Sequence, residues 1–96
     1  MNKYTQIFEK MKKAVYDYAV DHLDKTDEVK FTMDDVYIVW SCKTLQHAKA
    51  LISTELPDKM YYECTYNGVK DELYLDAYVK LDNKKIENFY NDGQQN

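Results

Sequence analysis

Asn67-Gly68 stands between two runs in which apolar and polar residues alternate, "MYYECTY" and "ELYLDAYVKL". Alternation at period two puts successive side chains on opposite faces of a strand. Asn-Gly between two such runs is the strongest short-range signal for an antiparallel hairpin, since a type I′ turn needs two positive φ angles. A two-residue loop would set Tyr62 opposite Leu73, Tyr61 opposite Tyr74 and Glu63 opposite Glu72. The last pairing opposes like charges, which is unfavourable. A four-residue loop, "NGVK", keeps the same faces and pairs Glu63 with Tyr74, so the longer loop is expected. Either way Met60, Tyr62, Cys64, Leu73, Leu75, Ala77, Val79 and Leu81 share one face. Tyr61, Glu63, Thr65, Glu72, Tyr74, Asp76, Tyr78 and Lys80 share the other.

Upstream the period is different. Between Lys3 and Asp24, Tyr4, Ile7, Phe8, Met11, Val15, Tyr18, Ala19 and His22 recur at three- and four-residue steps, the stripe of an amphipathic helix. Tyr16, Val20 and Leu23 form a flanking strip, with Asp17 and Asp21 beside it, which a tail or a partner chain could cover. "VYIVWSCK" then alternates Val36, Ile38, Trp40 and Cys42 against Tyr37, Val39, Ser41 and Lys43. "TLQHA" turns the chain, "KALISTE" reads as the next strand, and "LPDK" is a turn with Pro57 presetting its backbone. Beyond Asp82, Ile86, Phe89 and Tyr90 have helical spacing. A short C-terminal helix over 83–91 and an extension of the last strand both stay open.

These elements predict a single α+β domain over residues 1–91, with 92–96 a frayed tail. One long N-terminal helix should lie across a four-stranded antiparallel meander, a two-layer fold with strands near 36–43, 48–55, 60–67 and 70–81. Ninety-six residues bury roughly 60–65% of the unfolded chain's surface, enough for one core. That core is expected to join Phe8, Met11, Val15, Ile38, Trp40, Ile52, Leu73 and Leu75. Trp40→Ala should then cost roughly 3–5 kcal/mol.

The charge balance narrows the partners. Net charge is −4, and all thirteen basic residues are lysine. Without arginine's planar fork, the usual means of gripping phosphate and guanine, direct nucleic-acid binding is not expected. No basic-then-apolar leader opens the sequence and no apolar run nears the ~18 residues of a membrane span, so a cytoplasmic protein without a membrane partner is expected.

Chemistry is sparse. Cys42, His47 and Cys64 lack the close paired spacing of a zinc site, and both cysteines read as inward, reduced core thiols. His22 and His47 have no evident nucleophile beside them. Glu63 and Asp76 could meet on the outer sheet face, which lacks the water-excluding pocket that raises an acid's pKa. Gly68 and Gly93 alone cannot build a phosphate loop. No catalytic residue, metal or cofactor is therefore assigned. What remains is a contact surface: Tyr61, Tyr74 and Tyr78, framed by Glu63 and Asp76 and joined by Tyr37 and Val39, on the side away from the helix. Tyrosine is enriched at interfaces, and the flanking acids suit a basic protein partner.

The wording "DDVYIVW", "CKTLQ", "KALIST" and "MYYECTYNG…ELYLDAY" resembles a family of short, uncharacterised proteins encoded by phages and prophages of low-GC Gram-positive bacteria, over about 24–80. That family has no assigned activity, so the resemblance carries no site residue. It implies a virus-encoded protein in a bacterial host's cytoplasm, where small acidic phage proteins act as effectors by binding a host or defence protein. A self-associating assembly protein is the alternative, and a small enzyme or metal protein the second alternative.

Overall fold

The computed structural model describes residues 2–23 and 30–90. Helix α1 spans Lys3–Asp21, a 3-10 turn spans Met33–Asp35, and four strands follow: β1 Val36–Thr44, β2 His47–Thr54, β3 Met60–Asn67 and β4 Glu72–Val79. All pairs are antiparallel in the order β1-β2-β3-β4, so the helix-on-meander fold is as the sequence predicts. Short connections leave sequential strands as neighbours.

The helix starts where Asn2 caps it. The Asn2 side-chain oxygen accepts from the Thr5 amide at 2.9 Å, satisfying one of the free donors of the first turn. It stops at Asp21, short of the Asp24 that the apolar stripe suggests, and Asp24 itself lies outside the described residues. His22 closes the end: its amide turns back to Ala19 and Val20, and Nδ1 lies 2.8 Å from the Tyr18 carbonyl.

Met11, Val15 and Ala19 of α1 face Ala48, Ala50 and Ile52 of β2, with Val36, Tyr62, Cys64 and Tyr66 completing the buried sheet face and Phe31 joining the core from the segment before the 3-10 turn. Two alanines at the centre of β2 let the helix sit low over β1 and β2. β4 lies beyond that cover. Leu73 is 38% exposed and Val79 68%, although both face the helix side. Phe8, Ile38 and Leu75 pack partly against the core. Leu73, expected fully inside, does not, because the helix is one strand too far away.

Trp40 is the larger correction. The β1–β2 register slips between Ile38, opposite Ile52, and Trp40, opposite Leu51. Val39 is the extra residue of a β-bulge, and a bulge reverses the inside-outside phase of everything after it. Ser41 and Lys43 therefore take the helix side, where the Lys43 ammonium lies 4.5 Å above the Tyr4 ring. Trp40 and Cys42 turn outward; Trp40 is 45% exposed and Cys42 is exposed. Removing a ring only half out of water costs less than removing a core ring. Trp40→Ala should therefore lower stability by about 1–2 kcal/mol, read as a modest shift in a urea melt. A loss above that range would place the ring back in the core.

The β3–β4 loop has four residues as expected, but it is Gly68–Asp71 rather than Asn67–Lys70. Asn67 stays in β3 opposite Glu72, and its side-chain oxygen accepts from the amides of Val69 and Lys70 at 3.0 and 3.3 Å. Asp71 takes the positive φ of 54° that closes the loop. After β4 only the Lys80 amide continues the ladder, donating to the Lys59 carbonyl at 2.7 Å. Residues 81–90 form neither the helix nor the strand extension that their spacing allows. Among the described residues little covers their apolar side chains: Leu81 is 95% exposed, Phe89 79% and Tyr90 92%.

Candidate protein-binding face

The bulge and the registers together write the outer face row by row. Tyr37, Ser53, Tyr61 and Tyr78 form one row across the sheet. Trp40, Leu51, Glu63 and Asp76 form the next, and Cys42, Lys49, Thr65 and Tyr74 the third. All five residues singled out in the sequence, Tyr61, Glu63, Tyr74, Asp76 and Tyr78, thus share one face that none of the described elements covers.

Their electrostatics differ from the expected register. Glu63 stands opposite Asp76, a like-charge pair that the "NGVK" loop would have avoided. Its cost is offset from the side. The Lys49 ammonium lies 3.3 Å from Glu63 Oε2, and the Tyr78 hydroxyl donates to Glu63 Oε1 at 3.5 Å. The negative charge of Glu63, with that of Asp76 second, raises the Tyr78 phenol above its ordinary pKa. Tyr74 donates to Glu72 at 3.3 Å. The face is therefore a set of half-exposed rings around Glu63, Asp76 and Lys49, with Glu72 and Lys80 at its margins.

Trp40, Leu51 and Lys49 join the face beyond the residues expected there. Trp40 was hidden by the bulge. Lys49 could have been found by reading "KALIST" against β3, since the register that buries Ala48 and Ala50 sets Lys49 outward.

The flanking helix strip is a weaker surface. Tyr16 stacks on Phe31 with ring centroids 5.2 Å apart and donates to the Phe31 carbonyl at 3.4 Å. Leu23 is partly buried and Asp17 pairs with Lys13, which leaves Val20 and Asp21 exposed. The chain itself supplies the cover at Tyr16.

Cys42 and His47 line one shallow hollow of about 220 Å³ on the outer side. Cys64 is on the opposite face, fully buried, its thiol pushed up to about 11 by burial and then by the Asp76 charge. The three residues do not converge, and among the described residues no group of three potential metal ligands forms. Cys42 is not the core thiol its strand position suggested. The hollows of about 350 Å³ lie off the outer face's centre, one of them between α1 and the Asp71 end of β4. Among the described residues no helix is long and apolar enough to cross a membrane.

Helix on one side and aromatic rows on the other define a two-layer α+β protein with an open sheet face. The chain belongs to a family of unknown function, DUF6275, whose model matches residues 8–88. Neither a curated protein nor a solved structure matches it.

Proposed function

We propose that this chain is a non-enzymatic binding protein whose outer sheet face docks a protein partner bearing basic residues. One observation supports it above the rest: Trp40, Tyr37, Tyr61, Tyr74 and Tyr78 surround Glu63 and Asp76 on a face that none of the described elements covers. Rings of this kind stack on lysine or arginine side chains while the carboxylates take their charge. A closed, dry site for acid–base chemistry is not what such a surface offers, which favours binding over catalysis. The resemblance to phage and prophage proteins makes a host or defence protein of a bacterial cytoplasm the proposed partner, with the chain acting as an effector.

The test is a triple variant, Tyr61→Ser, Tyr74→Ser and Tyr78→Ser, alongside the parent. Exposed cross-strand pairs contribute a few tenths to 1 kcal/mol each, so the variant should stay within about 2–3 kcal/mol of parental stability. A protein captured from bacterial lysate by the parent should be lost from the variant, because aromatic anchors dominate interfaces. Capture should also weaken as salt rises. Undiminished binding by a folded variant would move the site elsewhere, first to Tyr16, Val20 and Leu23.

A further inference from the structure

The edge strand and the C-terminal arm, both left open by the described residues, fit each other, but in a second copy. β4 is an edge strand. The Lys80 amide points inward to Lys59, so by antiparallel alternation the backbone groups of Leu73, Leu75, Ala77 and Val79 point to the open edge. An unpaired edge of this length is a template for another strand. Past it lies a groove of about 350 Å³ between α1 and the start of β4, lined by Lys3, Ile7, Lys10, Met11, Asp71 and Leu73. The arm after β4 carries Leu81, Phe89 and Tyr90 mostly in solvent and Ile86 more than half exposed, with Glu87 among them.

We propose that two copies of this chain pair β4 to β4 across a two-fold axis at Leu75, each arm lying in the other copy's groove. This goes beyond the outer-face reading and does not depend on it. Centring on Leu75 sets Leu73 opposite Ala77 of the second copy on the helix side. On the outer side Tyr74 meets Asp76 and Glu72 meets Tyr78, so each carboxylate faces a phenol rather than another acid. Centring on Asp76 would instead oppose two carboxylates. The antiparallel arrangement also delivers the arm. Val79 of the second copy falls opposite Asp71, and the residues that follow it reach the groove without turning back. A chain's own arm starts at the far end of β4, about 23 Å from that groove by strand rise, and would have to reverse. Glu87 pairs with Lys85 at 3.3 Å within the arm, and the groove carries Lys3 and Lys10 beside Asp71, so neither side brings an unbalanced charge and the apolar anchors carry the fit. Two rings at roughly 150–250 Å² each, with Leu81, Ile86 and the β4 aliphatics, approach the roughly 800 Å² per partner of a specific interface.

Sedimentation and light scattering of the full chain across micromolar concentrations should give twice 11.5 kDa. The double variant Ile86→Ser with Phe89→Ser lies outside every strand, so it keeps the fold. It should weaken association by about ten-fold or more, as loss of aromatic and aliphatic anchors does. Leu75→Lys, which sets two ammonium groups face to face on the axis, should give a monomer with parental circular dichroism. If Leu75→Lys fails to fold, the arm variant decides alone. A monomeric parent overturns the proposal, and so does a dimer indifferent to the arm substitutions. Tyr37→Ser with Tyr61→Ser should leave the dimer intact; if that pair alone dissolves it, the copies meet through the outer face and the β4 dimer is wrong.

Discussion

Tyr62→Ala is expected to unfold most of the protein. Tyr62 is the largest side chain fully withdrawn from water, at 2% exposure, and it sits where β3 passes beneath the helix. Its ring meets Tyr18 edge to face at 5.7 Å and stands in the register row of Ile38, Ile52 and Ala77. Truncation would forfeit the transfer of a whole ring and leave a cavity that the sheet backbone cannot collapse to fill. The loss should be about 3–5 kcal/mol, against a total of about 5–15 kcal/mol for a domain. Burial, followed by the charge of Asp58 and the neighbouring Tyr18, pushes the Tyr62 phenol up to about 12, so it stays neutral at ordinary pH. Tyr62→Phe keeps the ring and should cost within about 1 kcal/mol. Urea melts followed by circular dichroism separate the two variants. Equal midpoints for Tyr62→Ala and the parent would show that the ring is not the centre of the core.

Gly68→Ala should be nearly as damaging for a different reason. A Cβ on Gly68 would stand 1.8 Å from the Gln46 carbonyl oxygen and 2.8 Å from its carbonyl carbon. Both are backbone atoms of the β1–β2 turn, so no rotamer change relieves the clash. That turn already holds Leu45 at a φ of 56°, an uncommon setting for a leucine, and the Gly68 amide approaches His47 Nδ1 at 3.4 Å. Forcing the two loops apart should cost toward the upper part of the roughly 1–3 kcal/mol range for overpacking. Val69→Ala, at an exposed neighbour, should be silent in the same melt. If Gly68→Ala is equally silent, the two turns are not locked together.

Gly68 also shows how a correct signal can carry an incomplete reason. Asn67-Gly68 announced a hairpin, and a hairpin is there. The glycine's tightest constraint is the close approach of another turn, which no local pattern reveals. The strands fall within two residues of their expected limits because period-two alternation is enforced by burial of one face. The phase of β1 was not legible past Ile38. Val36, Tyr37, Ile38, Val39 and Trp40 are all apolar, so alternation has no polar residue there to mark the shift. Leu73 misled in another way: its face was right, but whether a helix covers that end of the sheet depends on the alanines of β2 that seat α1. The five outer-face residues were recoverable since parity in β3 and β4 survives a shift in loop position. Their electrostatic pairing was not, because it follows from Glu63 meeting Asp76 and from Lys49 on a third strand.

The outward turn of Trp40 has a spectroscopic consequence. It is the sole indole in the chain, and it reports from the sheet's outer surface instead of from the interior. Its emission in the native protein should already resemble that of a partly hydrated fluorophore, so unfolding should shift the maximum little while the helix signal collapses. A molecule settling on the aromatic rows would dehydrate the indole and move the maximum to shorter wavelength. Intrinsic fluorescence would then be a poor thermometer of this fold and a built-in detector of occupancy.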